Sequence, residues 1–364
     1  MKLVSLFSGA GGLDLGFKKV GFETVFANEY DRTIWSSFRA NFPGAVLDER
    51  SIVDIPVSDV PAADGLIGGP PCQSWSEAGA HRGIRDRRGQ LFYEYIRVLK
   101  HVKPRFFLAE NVSGIISSRH RSAFESILER FSDLGYRVSH QMLRASDYGV
   151  PQDRDRVIVV GVRKDLRVDF DFPQPVGPAP TLRQAIGDLP PPLPNPSLSA
   201  RVDHPRVPNH EYLVGGFSSI YMSRNRVRNW SEPSFTIQAG ARHAPLHPSA
   251  PRMQKIGVDK FRFVPGNESL YRRLSVRECA RIQTFPDSHT LCYERIVDGY
   301  KMMGNAVPVT LAFHLATAVE RCVSKANRRR SKRGKSHSSS TGAVGRRGGR
   351  RSRDREHPSL FQGT

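Results

Sequence analysis

Four places in the sequence hold side chains able to do chemistry. Cys72 sits in Gly68-Gly69-Pro70-Pro71-Cys72-Gln73-Ser74-Trp75-Ser76. Two glycines and two prolines fix an extended, exposed backbone just ahead of the thiol. A lone cysteine is more often a small buried hydrophobe. A thiol in a rigid loop at a strand end, however, stands where the catalytic groups of α/β folds gather. Cys279, Cys292 and Cys322 lack that setting, and no C-x-x-C pair exists to hold zinc or a redox disulfide. Glu110 follows the apolar run Phe106-Phe107-Leu108-Ala109. A half-buried carboxyl there would hold its proton more tightly, which suits a proton donor; the plain alternative is a helix cap or a surface acid. The third place is Gln152-Asp153-Arg154-Asp155-Arg156, which without further context reads as a solvated charge run.

The fourth is a ligand cradle. Leu3–Phe7 is followed by Ser8-Gly9-Ala10-Gly11-Gly12 and by a helix-compatible run, Leu13–Lys19. A strand, a glycine turn and a helix N-terminus bind ligands through backbone N–H groups. The dinucleotide fingerprint would need glycine where Asp14 stands, and a carboxylate there disfavours a pyrophosphate. A cofactor with a cationic or zwitterionic end is easier to accommodate. Glu29, twenty residues after Gly9, is placed to accept ribose hydroxyls, and Tyr30 and Phe7 offer aromatic faces for an adenine. Taken alone, such a glycine loop is often only a tight turn.

These residues need a scaffold. Leu3–Phe7, Glu23–Asn28, Gly65–Ile67, Phe106–Ala109 and Val157–Val162 are short apolar runs of the buried-strand kind, and Gly89–Lys100 and Arg121–Leu134 have helical spacing. The alternation predicts a parallel sheet with helices on both faces. Eleven prolines between Pro173 and Pro208 exclude regular alternation there, and an irregular, arginine-rich region follows to about Tyr271. Helical pattern returns at Ser275–Thr284, opened by a Ser275…Glu278 capping box, and at Val309–Val323. The expected organisation is a catalytic domain of 1–172 plus 272–324, an inserted domain of 173–271, and a disordered basic tail of 325–364.

The motifs, in their order, resemble those of the DNA (cytosine-5) methyltransferases. Phe7-Ser8-Gly9-Ala10-Gly11-Gly12 is similar to the S-adenosylmethionine loop, and Pro70-Pro71-Cys72-Gln73 to the catalytic loop. Glu110-Asn111-Val112 and Gln152-Asp153-Arg154-Asp155-Arg156 are similar to the two base-pocket motifs. Arg277–Pro286 and Gly304-Asn305-Ala306-Val307-Pro308 are similar to the closing ones. Six motifs in order are far more specific than any one. The resemblance implies a Rossmann-like, S-adenosylmethionine-dependent methyltransferase domain carrying a small, irregular target-recognition domain. It implies Cys72 as the nucleophile at cytosine carbon 6, Glu110 as donor at N3, and Asn111 holding the loop. Arg156, with Arg154 in support, would bind the base carbonyl and phosphates. Cofactor contacts would come from Phe7, Ser8, Gly9, Gly11, Gly12, Leu13, Glu29, Tyr30, Ile52, Pro70 and Asn305. One departure is that the family's acidic residue near position 51 is absent: Arg50-Ser51-Ile52 stands there, with Asp48, Glu49 and Asp54 as the nearest acids. The chemistry requires the target base to be flipped out of the duplex. Ala78–Gln90, with three glycines and five arginine or histidine cations, has the composition of a lid over DNA.

Charge points to the same partner. The chain carries 55 Lys+Arg against 35 Asp+Glu, a formal net charge of +20. The stretch from Lys325 to the end holds 13 basic and 2 acidic residues, and the rest remains basic, which favours a nucleic-acid partner; the resemblance makes that partner double-stranded DNA. In the insert, Ser223–Trp230 and Phe235–His243 space several arginines two residues apart, and guanidinium forks match guanine O6 and N7. Both segments, with Leu246-His247-Pro248, resemble the recognition region of methyltransferases that modify GGCC. That resemblance implies methylation of the inner cytosine, with Arg226, Arg228 and Arg242 among the guanine contacts. It also implies a restriction–modification setting with a cognate endonuclease. A tRNA-directed methyltransferase and a noncatalytic DNA-binding regulator are the competing readings; the arginine-rich insert argues against the first and intact Cys72, Glu110 and Arg156 against the second. No apolar run has the roughly 18 residues of a membrane span, and the expectation is a cytoplasmic monomer without a metal.

Overall fold

The computed structural model describes residues 1–71 and 91–338. Cys72, the Ala78–Gln90 run and the tail from 339 on lie outside them. Lys2–Leu6 forms β1, its side chains buried from Leu3 onward, and the glycine turn leads into α1 (Gly12–Lys18). Then come β2 (Glu23–Asn28), α2 (Trp35–Asn41), β3 (Val46–Asp48) and β4 (Gly65–Gly68). After the undescribed segment follow α3 (Leu91–Val102), β5 (Phe106–Val112), α4 (Arg121–Asp133), β6 (Tyr136–Arg144) and β7 (Asp155–Arg163).

The seven strands lie in the order β3-β2-β1-β4-β5-β7-β6. The first five run parallel, but β7 is antiparallel to both β5 and β6, so the expectation of an all-parallel sheet fails at this edge. The cause is the short link from Arg144 to Asp155, a 3-10 turn with no crossover helix, which can only return the chain antiparallel. β6 is an edge strand with most side chains half-buried or exposed, and its sequence, YRVSHQMLR, is correspondingly mixed.

The insert holds α5 (Leu182–Ile186), a small parallel ladder of β8 (Leu193–Asn195) with β9 (Glu211–Leu213), and a hairpin of β10 (Gln254–Gly257) with β11 (Lys260–Arg262). Tyr221, Val227, Leu246, Ala250, Met253 and Tyr271 make it a core of its own. The chain then adds α6 (Val276–Ile282), α7 (Ile296–Asn305) and α8 (Val309–Ser338). Ser275 Oγ accepts from Glu278 N at 3.0 Å while Glu278 Oε2 accepts from Ser275 N at 2.7 Å, closing the capping box. The side chains of α6 and α7 share one core with Leu182, Ile186, Leu213 and Ile237 of the insert, so a cut at 272 divides a packed unit. Helix α8 instead packs on the sheet and on α1; a Cβ on Gly16 would lie 2.3 Å from Ala312 Cβ.

One expectation changes at α8. The helix continues to Ser338, and Ala326 is buried in the core, so disorder does not begin at 325. Arg and Lys are good helix formers, and a packed helix extends readily into such a run. The stretch Ile296–Arg329 is also long and apolar enough to cross a membrane by composition, yet 72% of its apolar window is buried inside the protein.

Candidate active site

A cavity of about 880 Å³ opens at the carboxyl ends of β1, β2, β4 and β5. At one end stands the glycine turn. Gly9 and Gly11 have φ of 55° and 78°, and Phe7 shares that left-handed region at 54°. For phenylalanine this conformation costs energy, and such strain gathers at ligand sites. Gly9 N donates to Glu29 Oε2 at 2.9 Å, which ties the turn to the end of β2. A Cβ on Gly12 would meet Val307 O at 2.3 Å, so the C-terminal motif closes directly over the turn. His289 Nε2 lies 3.0 Å from Ala10 O; burial drives its imidazole down to about 4, so it donates there as the neutral ring.

Phe7, Ser8, Gly9, Gly12, Leu13, Glu29, Tyr30, Ile52, Pro70 and Asn305 all line the cavity. Gly11 does not: its Cβ would stand 2.2 Å from Phe42, and glycine is required there for close packing and for its φ. Tyr30 is 72% exposed at the rim. Burial raises the Glu29 carboxyl above the usual range, partly offset by the N–H groups of Asp31 and Gly9. Of the acids near Ser51, only Glu49 reaches the cavity, together with Ser51 itself; Asp48 is held by Arg50 at 2.7 Å. Neither Lys301 nor Trp35 belongs to a motif read from the sequence. Lys301 reaches the wall from α7 and pairs with Asp31, and Trp35 Nε1 donates to Glu29 O at 2.8 Å. Lys301 comes from a helix distant in the chain, and such a contact leaves no local motif.

The other end of the cavity is built by β5 and β7. Their antiparallel register sets Glu110 opposite Ile158 and Val112 opposite Arg156. Glu110 and Arg156 are therefore diagonal neighbours on one face, a spacing long side chains can span. Arg156 Nε stands 2.6 Å from Glu110 Oε1, both side chains 11% exposed, and Arg156 Nη1 donates to Asp155 O at 2.7 Å. Asn111 Nδ2 donates to Pro70 O at 3.1 Å, joining β5 to the loop that enters Cys72. A Cβ on Gly69 would lie 3.1 Å from Glu110 Oε2, so the second glycine of that loop lets it pass beside the carboxylate.

Arg154 departs from its expected supporting role. It is 1% exposed, and its guanidinium donates to Ile237 O at 3.0 Å, Gly304 O at 2.8 Å and Ala306 O at 3.1 Å. A fork bound to three carbonyls holds the insert to the Asn305 motif and is not free for a phosphate. Gln152 extends this buried network, accepting from Ile237 N and donating to Gln283 Oε1. A Cβ on Gly304 would fall 2.2 Å from Ala239 N, so the two segments touch backbone to backbone.

The three recognition arginines also separate. Residues 223–230 form no strand, only an isolated bridge from Val227 to Leu246, so alternate residues need not share a face. Arg226 is buried, donates to Tyr221 O and Ile220 O, and lies over the Tyr221 ring. Those contacts withdraw it from guanine readout. Arg228 pairs with Asp153 at 2.6 Å and Glu232 at 3.3 Å. Arg242 and Arg224 are exposed.

The geometry has counterparts among known proteins. Residues 1–321 match the family described as C-5 cytosine-specific DNA methylase. The chain is 54% identical over 325 residues to the Type II methyltransferase M.FnuDI of Fusobacterium nucleatum, covering 88% of this chain and 94% of that one. It is 53% identical over 322 residues to the Type II methyltransferase M.MthTI of Methanothermobacter thermautotrophicus, covering 88% and 97%. The crystal structure of Spodoptera frugiperda DNMT2 superposes with a TM-score of 0.62 over 87% of this chain and 98% of that one, at 20% identity, a likeness of fold.

Proposed function

Because the chain belongs to the C-5 cytosine-specific DNA methylase family, whose methyl donor is S-adenosylmethionine, we propose that it methylates the inner cytosine of GGCC in duplex DNA as part of a Type II restriction–modification system. The observation that carries the catalytic reading is the Glu110–Arg156 pair, set beside the Asn111-anchored loop that leads into Cys72. The Type II setting rests on the relatives' own designation. The GGCC target rests on the resemblance of the 223–248 segments, with exposed Arg242 the strongest candidate guanine contact.

The cavity suits the donor chemically. Ser8 Oγ and Asp14 Oδ2 are buried on its wall without hydrogen-bond partners, which fits a ligand bearing an ammonium or sulfonium charge. The glycine turn, Glu29 and Tyr30 would hold the molecule, which supplies an electrophilic methyl group. The remaining chemistry belongs to the chain. The Cys72 thiolate adds to cytosine carbon 6 and pushes an electron pair toward N3, where Glu110 donates a proton. Arg156 fixes that carboxyl and stabilises the negative charge that builds on the base carbonyl oxygen. Carbon 5, now nucleophilic, takes the methyl group as its bond to the donor sulfur breaks and leaves a thioether; the carbon-5 proton then leaves to solvent, N3 returns its proton to Glu110, and the C–S bond to Cys72 breaks, returning the thiolate. Labelled methyl transfer to a GGCC duplex, with the inner cytosine replaced in a control, tests the proposal. Label in the control equal to that in the target overturns the site. Transfer confined to tRNA overturns the duplex substrate.

A further inference from the structure

A second cavity, of about 850 Å³, opens at the opposite end of the sheet. It lies where β5 begins and β7 ends; Arg105 on its wall precedes Glu110 by five residues of extended chain, so the cavity stands roughly 17 Å behind Glu110. Arg105, Arg163, Arg167 and Arg329 line it against a single carboxylate, Asp165. Asp165 engages Arg163, at 2.7 and 3.1 Å. Arg105 donates to Asn327 Oδ1 at 2.5 Å and Arg329 to Arg167 O at 2.8 Å, so neither charge is neutralised by these bonds. The Arg167 side chain is exposed, without an ion pair among the described residues.

The backbone holds these forks in place. Lys103 and Arg167 have φ of 46° and 53°, a region that favours glycine. Each turns its carbonyl onto an arginine of the wall: Lys103 O accepts from Arg163 Nη1 at 2.8 Å, and Arg167 O from Arg329. Arginines so fixed lose little freedom on meeting a ligand, and planar guanidinium forks match phosphate oxygens. The helix α8 leads away from the same cavity. Past Ala326 its backbone continues to Ser338, about 18 Å of further helix. Residues 328–335 hold six Arg or Lys and no acid.

We propose that the arginine cavity forms a second phosphodiester site, which binds a separate segment of duplex DNA while the catalytic cavity holds the first. Four guanidinium groups around one cavity exceed what a single phosphate needs, and their position behind the sheet is out of reach of the base in the catalytic cavity. Two such sites bridge two segments and let the enzyme pass between them without full release. The choice of DNA as the polyanion rests on the family's substrate; the second site rests on the arginines.

The test uses the full chain and an Arg105→Ala/Arg167→Ala/Arg329→Ala variant, with two short duplexes carrying different fluorophores. The wild type should bring the fluorophores together; the variant should do so at least tenfold less well. The dependence of log K on log salt should become shallower by about two to three, since each lost phosphate contact removes roughly 0.9. Methylation of one short duplex should stay unchanged, which also shows that the variant folds. Should the triple variant fail to fold, Arg167→Ala alone should flatten the slope by about one. Unchanged bridging and slope overturn the proposal. So does methylation that falls in step with bridging, because the patch then serves the same duplex. Occupation of the patch by single-stranded RNA but never by a duplex overturns it as well.

Discussion

Asp14 should be a stability cost that its amide removes. The carboxyl is 1% exposed beneath the glycine turn, and burial raises it from 3.8 to about 6, partly offset by the Thr24 hydroxyl, which donates to Oδ1 at 2.9 Å. At 1.36 kcal/mol for each tenfold change in proton affinity, ionising it inside the fold costs roughly 3 kcal/mol. The folded protein keeps this proton until pH approaches about 6, whereas the unfolded chain releases it near 3.8. The group's contribution is thus most favourable below the unfolded value and is lost as pH rises through the folded one. Asp14→Asn keeps the acceptor for Thr24 and removes the charge. Its unfolding free energy in denaturant should exceed the wild type's by about 1–3 kcal/mol at pH 8, and the gain should shrink toward pH 4. Because Asp14 Oδ2 lies on the cavity wall without a partner, the same variant should bind S-adenosylmethionine more weakly. A variant no more stable at pH 8 than at pH 4, relative to wild type, would refute the reasoning.

Three further outcomes are open to direct measurement. Cys72→Ala should lose methyl transfer while DNA binding persists, since phosphate contacts come from elsewhere; a 5-fluorocytosine duplex should trap the wild type as a denaturant-stable adduct, and full activity in the variant would remove the thiol from the mechanism. Deleting 339–364, beyond the helix that the core requires, should preserve sequence specificity and thermal stability while flattening the salt dependence of binding to unrelated DNA; lost specificity would mean that the tail reads DNA. Arg242→Ala should cost about 1–3 kcal/mol of discrimination between GGCC and singly altered sites, whereas an equal loss on all sequences, read by titration, would assign the side chain to phosphate.

The parts legible in the sequence were those fixed by short-range patterns. Strands buried on both faces appear as apolar runs, and the residues just past them, Phe7–Leu13, Glu29, Pro70 and Glu110-Asn111, stand together at the sheet's carboxyl end because parallel strands end there. What escaped depends on pairing between distant segments. The contact of Arg156 with Glu110 follows from an antiparallel register that no local pattern announces. Arg154, Arg156 and Arg226 look alike in a charge count, yet one clamps carbonyls, one faces the cavity, and one lies over a tyrosine. Low complexity after Ala326 reads as disorder, but a helix already anchored by packing needs only residues that tolerate it.

With target reading assigned to the insert as proposed, the backbone contact of Gly304 with Ala239 bears on whether that insert can be exchanged. An insert that merely hung from the catalytic body could be traded whole between relatives, and a new target sequence acquired in a single recombination. Here the seam is not at the boundaries of the insert but runs through it. Ile237 is held by Arg154, and Gln238 and Ala239 are pressed on Gly304, one residue before Asn305 on the cavity wall. A transplanted insert must therefore bring a main chain of the same course along that strip, whatever bases its loops read. Grafts should succeed where the crossover points leave 234–240 with the recipient and change only the segments on either side.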